Sequence, residues 1–180
     1  AGACSCLPRP DTPAAVAAAV TAPGSDYGTD FMFVGRVLDE VSYAVNYFTG
    51  DIVDVPDDYD YDPEISMYQN VTFSLEEILF NRAPDGSLPS FVQVGDEGTL
   101  TVATSTETTC CICGKGGYTV DGAENLVSLD GGMWGMHLST CQVNCRISDD
   151  DFCADVAGAL RSAGPPARGY CLTEADCAAA

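Results

Sequence analysis

With 27 Asp and Glu against 7 Lys and Arg in 180 residues, this chain carries a formal charge of -20. No basic stripe can be assembled from so few cations, which excludes phosphate-driven nucleic-acid binding and disfavours anionic membrane surfaces. The same balance favours cationic partners and divalent metal ions.

In chain order, Ala1-Gly2-Ala3 reads as the A-x-A end of a signal-peptide cleavage site, and a cut after Ala3 would make Cys4 the mature N-terminus. Cys4-Ser5-Cys6 follows at once, while the remaining cysteines are concentrated in the second half, so long-range disulfides are expected to clamp the start of the chain onto a distant part of the fold. Pro8 and Pro10 force an extended segment. Thr12-Pro13 opens an alanine-rich helix, with Thr12 as N-cap and Pro13 at the first helical position, and Pro23-Gly24-Ser25 ends it. Residues 31–38 read as a strand in which Gly35 signals a bulge or bend. Residues 39–64 form a Tyr- and Asp-rich stretch without a convincing period.

A second strand is expected over about 68–79, where Val71, Phe73 and Leu75 alternate with polar residues. Turn signals at Pro84-Asp85-Gly86 and Gly95-Asp96 surround the short apolar piece Phe91-Val92-Gln93-Val94. Strands are expected over 99–104, 125–129 and 136–140, the last two joined by Asp130-Gly131-Gly132. Ser148 is the expected N-cap of a second helix whose apolar face is Phe152, Val156, Ala157 and Leu160. Gly164-Pro165-Pro166 stops it and leaves a tail with Cys171 and Cys177.

The length suits one domain with a real core, assigned to residues 4–160 with an acidic insertion at about 39–66 and a cysteine-bearing tail at 161–180. Ten cysteines, an even number, suit an oxidising compartment, so the protein is expected to be secreted. The most apolar low-complexity stretch, residues 14–22, lies between Pro13 and Pro23 and is too short to span a membrane. Five short strands, a helix near each end and a glycine bulge in the first strand predict a mainly β fold: a five-stranded, OB-like β-barrel with short flanking helices, stapled by disulfides.

Cys4-Ser5-Cys6, Phe33-Val34-Gly35-Arg36-Val37, Val71-Thr72-Phe73-Ser74-Leu75-Glu76-Glu77-Ile78-Leu79, Cys113-Gly114 and Thr140-Cys141 occur in the order seen in tissue inhibitors of metalloproteinases. The chain resembles that family, and the wider netrin-like class of OB folds, over roughly residues 4–160. The resemblance implies bridges Cys4–Cys113 and Cys6–Cys141, each closing a loop worth about 4 to 5 kcal/mol by chain entropy. It also implies an inhibitory edge. The α-amine and carbonyl oxygen of Cys4 would chelate the open position of a protease's catalytic zinc, Ser5 would enter the specificity pocket, and Cys111-Ile112 would form the second contact edge. Three features depart from the family: Ala1–Ala3 precede Cys4, the third early cysteine is replaced by the alanine run, and Cys110-Cys111-Ile112-Cys113 carries extra thiols. The pairing of Cys110, Cys111, Cys145, Cys153, Cys171 and Cys177 is left open.

Other constellations point away from catalysis. Cys111-Ile112-Cys113 lacks zinc-ligand spacing, the lone His137 has no partner at a ligand spacing, and Gly114-Lys115-Gly116-Gly117 is a turn. No metal or cofactor is expected, apart from a weak calcium candidate at Asp58, Asp60 and Asp62. Those residues resemble an EF-hand loop but place Pro63 where Gly is needed. Asn70-Val71-Thr72 is a glycosylation sequon. A non-enzymatic extracellular domain is therefore expected, with either a zinc endopeptidase or the subunits of an extracellular assembly as partner. The alternative function is a structural, adhesive or cation-binding matrix module.

Overall fold

The computed structural model describes residues 10–22, 29–54, 64–83, 87–88, 93–94, 98–105, 118–129, 144–149 and 151–163. They form a mainly β unit in the order α1 (Pro13–Thr21), β1 (Phe31–Asn46), β2 (Ile52–Val53), β3 (Ile65–Asn81), β4 (Gln93–Val94), β5 (Thr99–Ser105), β6 (Glu124–Leu129), β7 (Cys145–Arg146) and α2 (Asp151–Ser162). The strands make one antiparallel sheet in the order β4-β5-β3-β1-β6-β7, with β2 pairing with β1 off that path. Four of the five expected strands are its backbone. The fifth, at 136–140, lies outside the described residues.

Phe31-Met32-Phe33-Val34 does not alternate, because this end of β1 is buried on both faces. Phe31, Phe33 and Val37 join Val71, Phe73, Leu100, Val102, Tyr118, Val127 and Leu129 in one core. Phe33 and Phe73 meet edge to face at 5.4 Å, and Phe73 meets Tyr118 in the same way at 5.2 Å. Met32, Val34, Leu79 and Leu126 face the other way, onto Val16, Ala17 and Val20 of α1 and Val156, Ala157 and Leu160 of α2.

The first helix forms as its sequence dictates. Thr12 Oγ1 accepts the Ala15 N–H at 3.2 Å, and Pro13 starts the helix. The second helix starts later than expected. Ile147 N–H bonds the Glu124 carbonyl at 2.9 Å and holds that stretch to the sheet, so helix begins only at Asp151. Ser148 therefore sits in a turn, donating to Asp149 Oδ1 at 2.9 Å, and is not an N-cap. A Cys145–Cys153 disulfide ties β7 to α2, which fixes one of the pairings left open by the sequence.

The bulge expected at Gly35 is present. The β1–β3 register shifts between Val34 and Gly35, where Glu76 is the extra residue, and again between Met32 and Phe33 and between Val37 and Asp39. The last shift makes Leu38 the extra residue and carries β1 on to Asn46, so part of the stretch expected to lack regular structure is strand. Residues 39–46 pair with residues 65–72 to extend the sheet into an arm, with β5 flanking β3 from Tyr68 and β2 flanking β1 at Ala44 and Val45.

A buried polar clasp closes the body of the sheet. Thr29 Oγ1 donates to the Leu129 carbonyl at 2.7 Å and accepts from Ser128 Oγ at 2.7 Å. Arg82 reaches the carbonyls of Thr29 (2.9 Å) and Val20 (3.2 Å), so one side chain joins the end of α1 to the ends of two strands.

Candidate functional site

The inhibitory edge implied by the resemblance, Cys4, Ser5, Cys6, Cys111 and Ile112, lies outside the described residues. So do Cys113 and Cys141 of the implied bridges, the Asp58, Asp60 and Asp62 calcium candidate, and His137. What is described is the sheet, its two helices and the surface they present.

Gln69 is the main fixture of that sheet, and sequence reasoning did not single it out. Its Oε1 accepts the Tyr118 N–H at 2.9 Å and its Nε2 donates to the Tyr118 carbonyl at 3.0 Å, so one amide imitates a neighbouring strand. The same Nε2 donates to the Glu40 carboxylate. This pins the chain to β3 at Tyr118, five residues after Cys113. The available signal was parity: Gln69 stands in the inward row of Val71 and Phe73, where a polar side chain needs a partner. Burial pushes the Tyr118 phenol well above its ordinary value.

Every described arginine is committed to a carboxylate. Arg36 bonds Glu76 at 2.9 Å and Glu124 at 2.7 Å; Arg161 Nε meets both Glu77 oxygens at 2.9–3.0 Å; Arg82 pairs with Asp30 at 3.5 Å; Arg146 pairs with Asp121 and Asp149. The Asp121 carboxyl is held below its ordinary range, chiefly by the Ala123 N–H, with the Thr119 hydroxyl and Arg146 adding and burial opposing. These pairs are surface-exposed and screened by solvent, so each adds little to stability. Their larger effect is on the field, because no described cation is left to offset the other acids.

The arm is the second feature. From Val37 to Asn81 the sequence has no Lys, Arg or His. Tyr43 and Tyr68 stack across the strands at 5.6 Å, and burial, then Tyr68, raises the Tyr43 phenol above its ordinary value. Asn70 of the sequon is exposed on β3, opposite Val41, which is 55% exposed. Both belong to the outward row, so the acceptor amide is open to modification.

Among the described residues no group of three or more His, Cys, Asp or Glu could hold a metal ion, and no helix is long and apolar enough to cross a membrane. No protein-family model matches the chain, and no curated protein matches it.

Proposed function

We propose that this chain is a secreted, non-enzymatic netrin-like domain that inhibits a zinc endopeptidase through the α-amine and carbonyl of Cys4. The observation that supports the reading is the strand order β5-β3-β1-β6 with a bulged, doubly buried first strand and both helices on one side of it. That is the order of the first four strands of an OB barrel. A barrel would close if residues 136–140 bridged the parts of β5 and β6 that the short strands β4 and β7 leave unpaired. The Cys145–Cys153 bond supports an oxidising compartment.

In this reading Gln69 holds the return of the chain after Cys113, and the implied bridges Cys4–Cys113 and Cys6–Cys141 hold Cys4 beside Cys111-Ile112. A neutral amine is a good zinc ligand and an amide nitrogen is not, so residues left in front of Cys4 abolish chelation. The test compares a form beginning at Cys4 with one beginning at Ala1 against a panel of zinc endopeptidases. Inhibition by the first and a large loss in the second supports the reading. Equal inactivity, or free thiols at Cys4 and Cys6, overturns it.

A second reading, an acidic extracellular assembly or cation-binding module, is favoured by the commitment of every described arginine to a carboxylate. Calorimetric titration with calcium tests its cation-binding form. A site of millimolar or tighter affinity that is lost when Asp58, Asp60 and Asp62 are changed to Asn would support it.

A further inference from the structure

We infer that the tip of the β1–β2 hairpin is a docking anchor for a partner peptide segment that carries apolar side chains flanked by Lys and Arg. The three most exposed large apolar side chains among the described residues, Tyr47 (70%), Phe48 (74%) and Ile52 (75%), fall within one six-residue tip. Single exposed apolar residues are ordinary on protein surfaces, but a contiguous cluster marks an interaction site. The two aromatic rings meet edge to face at 5.5 Å.

The tip is also fixed in shape. Asn46 Oδ1 accepts the N–H groups of Phe48 and Thr49, each at 3.0 Å, and Asn46 O accepts the Gly50 N–H at 2.8 Å. Thr49 Oγ1 accepts the Asp51 N–H at 3.2 Å, and the Tyr47 N–H is tied to the Glu64 carbonyl at 2.8 Å. Gly50 supplies the left-handed φ of 75° that the turn requires. Aromatic side chains on a pre-formed turn lose little freedom on binding, which is the property of an interface anchor.

Charge selects the occupant. Asp51, Asp54 and Glu64 are exposed beside the tip, in the stretch from Val37 to Asn81 that has no cation. A second copy would bring like charges together, and an anionic bilayer would be repelled. Apolar side chains flanked by Lys or Arg satisfy both halves of the surface. Cys4 takes no part, so this inference stands apart from the inhibitor reading.

The test is panning of a phage-displayed library of short random peptides on the full-length chain. Enriched peptides are expected to carry Lys or Arg beside apolar residues. Their binding should fall roughly 30-fold or more in the Tyr47→Ser/Phe48→Ser double variant, the size of a hot-spot loss. It should also weaken between about 50 mM and about 500 mM salt, as screening of an exposed charge rim requires. Because these side chains are exposed, urea unfolding of the variant should match the parent, and Ile52→Ser provides an independent check. Peptides without a basic bias, binding unchanged by the tip variants, or no enrichment at all would overturn the inference. So would self-association in sedimentation velocity, or binding to phosphatidylcholine vesicles, that the double variant abolishes.

Discussion

Replacing Gly35 by Ala tests the close approach of β1 to β3 at the bulge. A Cβ at this position would collide with the backbone carbonyl oxygen of Ser74 on β3 and lie 3.0 Å from Phe33 Cε2. The aromatic ring could turn aside, but the carbonyl oxygen could move only if β3 shifted against β1 at the bulge. Overpacking of this kind costs about 1–3 kcal/mol, and a backbone obstacle belongs at the upper end. Loss of glycine's freedom in the unfolded chain returns about 0.4–1 kcal/mol, leaving a net destabilisation of about 2 kcal/mol. With a urea m-value of about 2 kcal/mol/M, the unfolding midpoint should fall by about 1 M. Two other glycines separate steric cost from conformational cost. Gly50 has open space around it but a φ of 75°, so Gly50→Ala should cost about 1 kcal/mol through backbone strain alone. Gly158 lies inside α2 with nothing within 4 Å, so Gly158→Ala should stabilise by about 0.5–1 kcal/mol. Far-UV circular dichroism in urea, with disulfides intact, reads all three. A Gly35→Ala midpoint at or above the parent's would refute the packing assigned to the bulge, and a Gly158→Ala midpoint below the parent's would refute the open space assigned beside α2.

Replacing Cys145 and Cys153 together by Ala removes a bridge across a sequence separation of 8 and should cost about 2.5 kcal/mol by the chain-entropy relation, measured as a drop in the urea midpoint. Thr29→Val removes the buried hydrogen bonds to Leu129 and Ser128 and should cost about 1–3 kcal/mol, with faster amide exchange at the ends of β1 and β6. The raised Tyr118 phenol keeps its proton in the folded chain after the unfolded chain has lost it. The unfolded state then binds fewer protons above about pH 10, so stability should fall as pH rises past that point. Tyr118→Phe should flatten this alkaline loss, and a pH series of urea midpoints checks it. If Asn70 is glycosylated, Asn70→Gln should remove a mass shift that peptide N-glycosidase also removes from protein made in a eukaryotic secretory host, whereas no shift in the parent would refute modification.

Much of the sheet was legible because period-2 alternation survives wherever one face is buried. Val71, Phe73 and Leu75 gave β3, and Thr12-Pro13 gave the start of α1. The arm was missed for a physical reason. Val37, Val41, Tyr43 and Val45 keep one parity along β1, broken at Asp39, but Leu38 is an extra residue that turns the later part of this row to the opposite face. Glu40 and Ala44 consequently take the row of Val71 and Gln69, and Val41 points out to solvent. A reader expecting apolar residues inside finds no consistent pattern there. Ser148 misled for a related reason. Its local sequence fits an N-cap, but the Ile147–Glu124 backbone bond keeps the chain with the sheet for longer than local preference suggests. The residues of the inhibitor reading came from ordered motifs and lie outside the described residues, so the N-terminal comparison is what tests that reading.

The distribution of charge separates the parts of the molecule. Arg36, Arg82, Arg146 and Arg161 all lie in the body, and each is paired with a carboxylate. The arm receives none, although it carries Asp39, Glu40, Asp51, Asp54 and Glu64. If the acids served solubility alone, cations would be as useful on the arm as on the body, because like charges on neighbouring strands oppose their pairing. The arm forms nevertheless, held by the Tyr43–Tyr68 stack, the Gln69–Glu40 contact and the hydrogen-bonded turn at Asn46. An arm that keeps its repulsion and presents ordered aromatic rings at its end is shaped for something positively charged, and this is why the docking inference rests on the arm and not on the paired surface of the body.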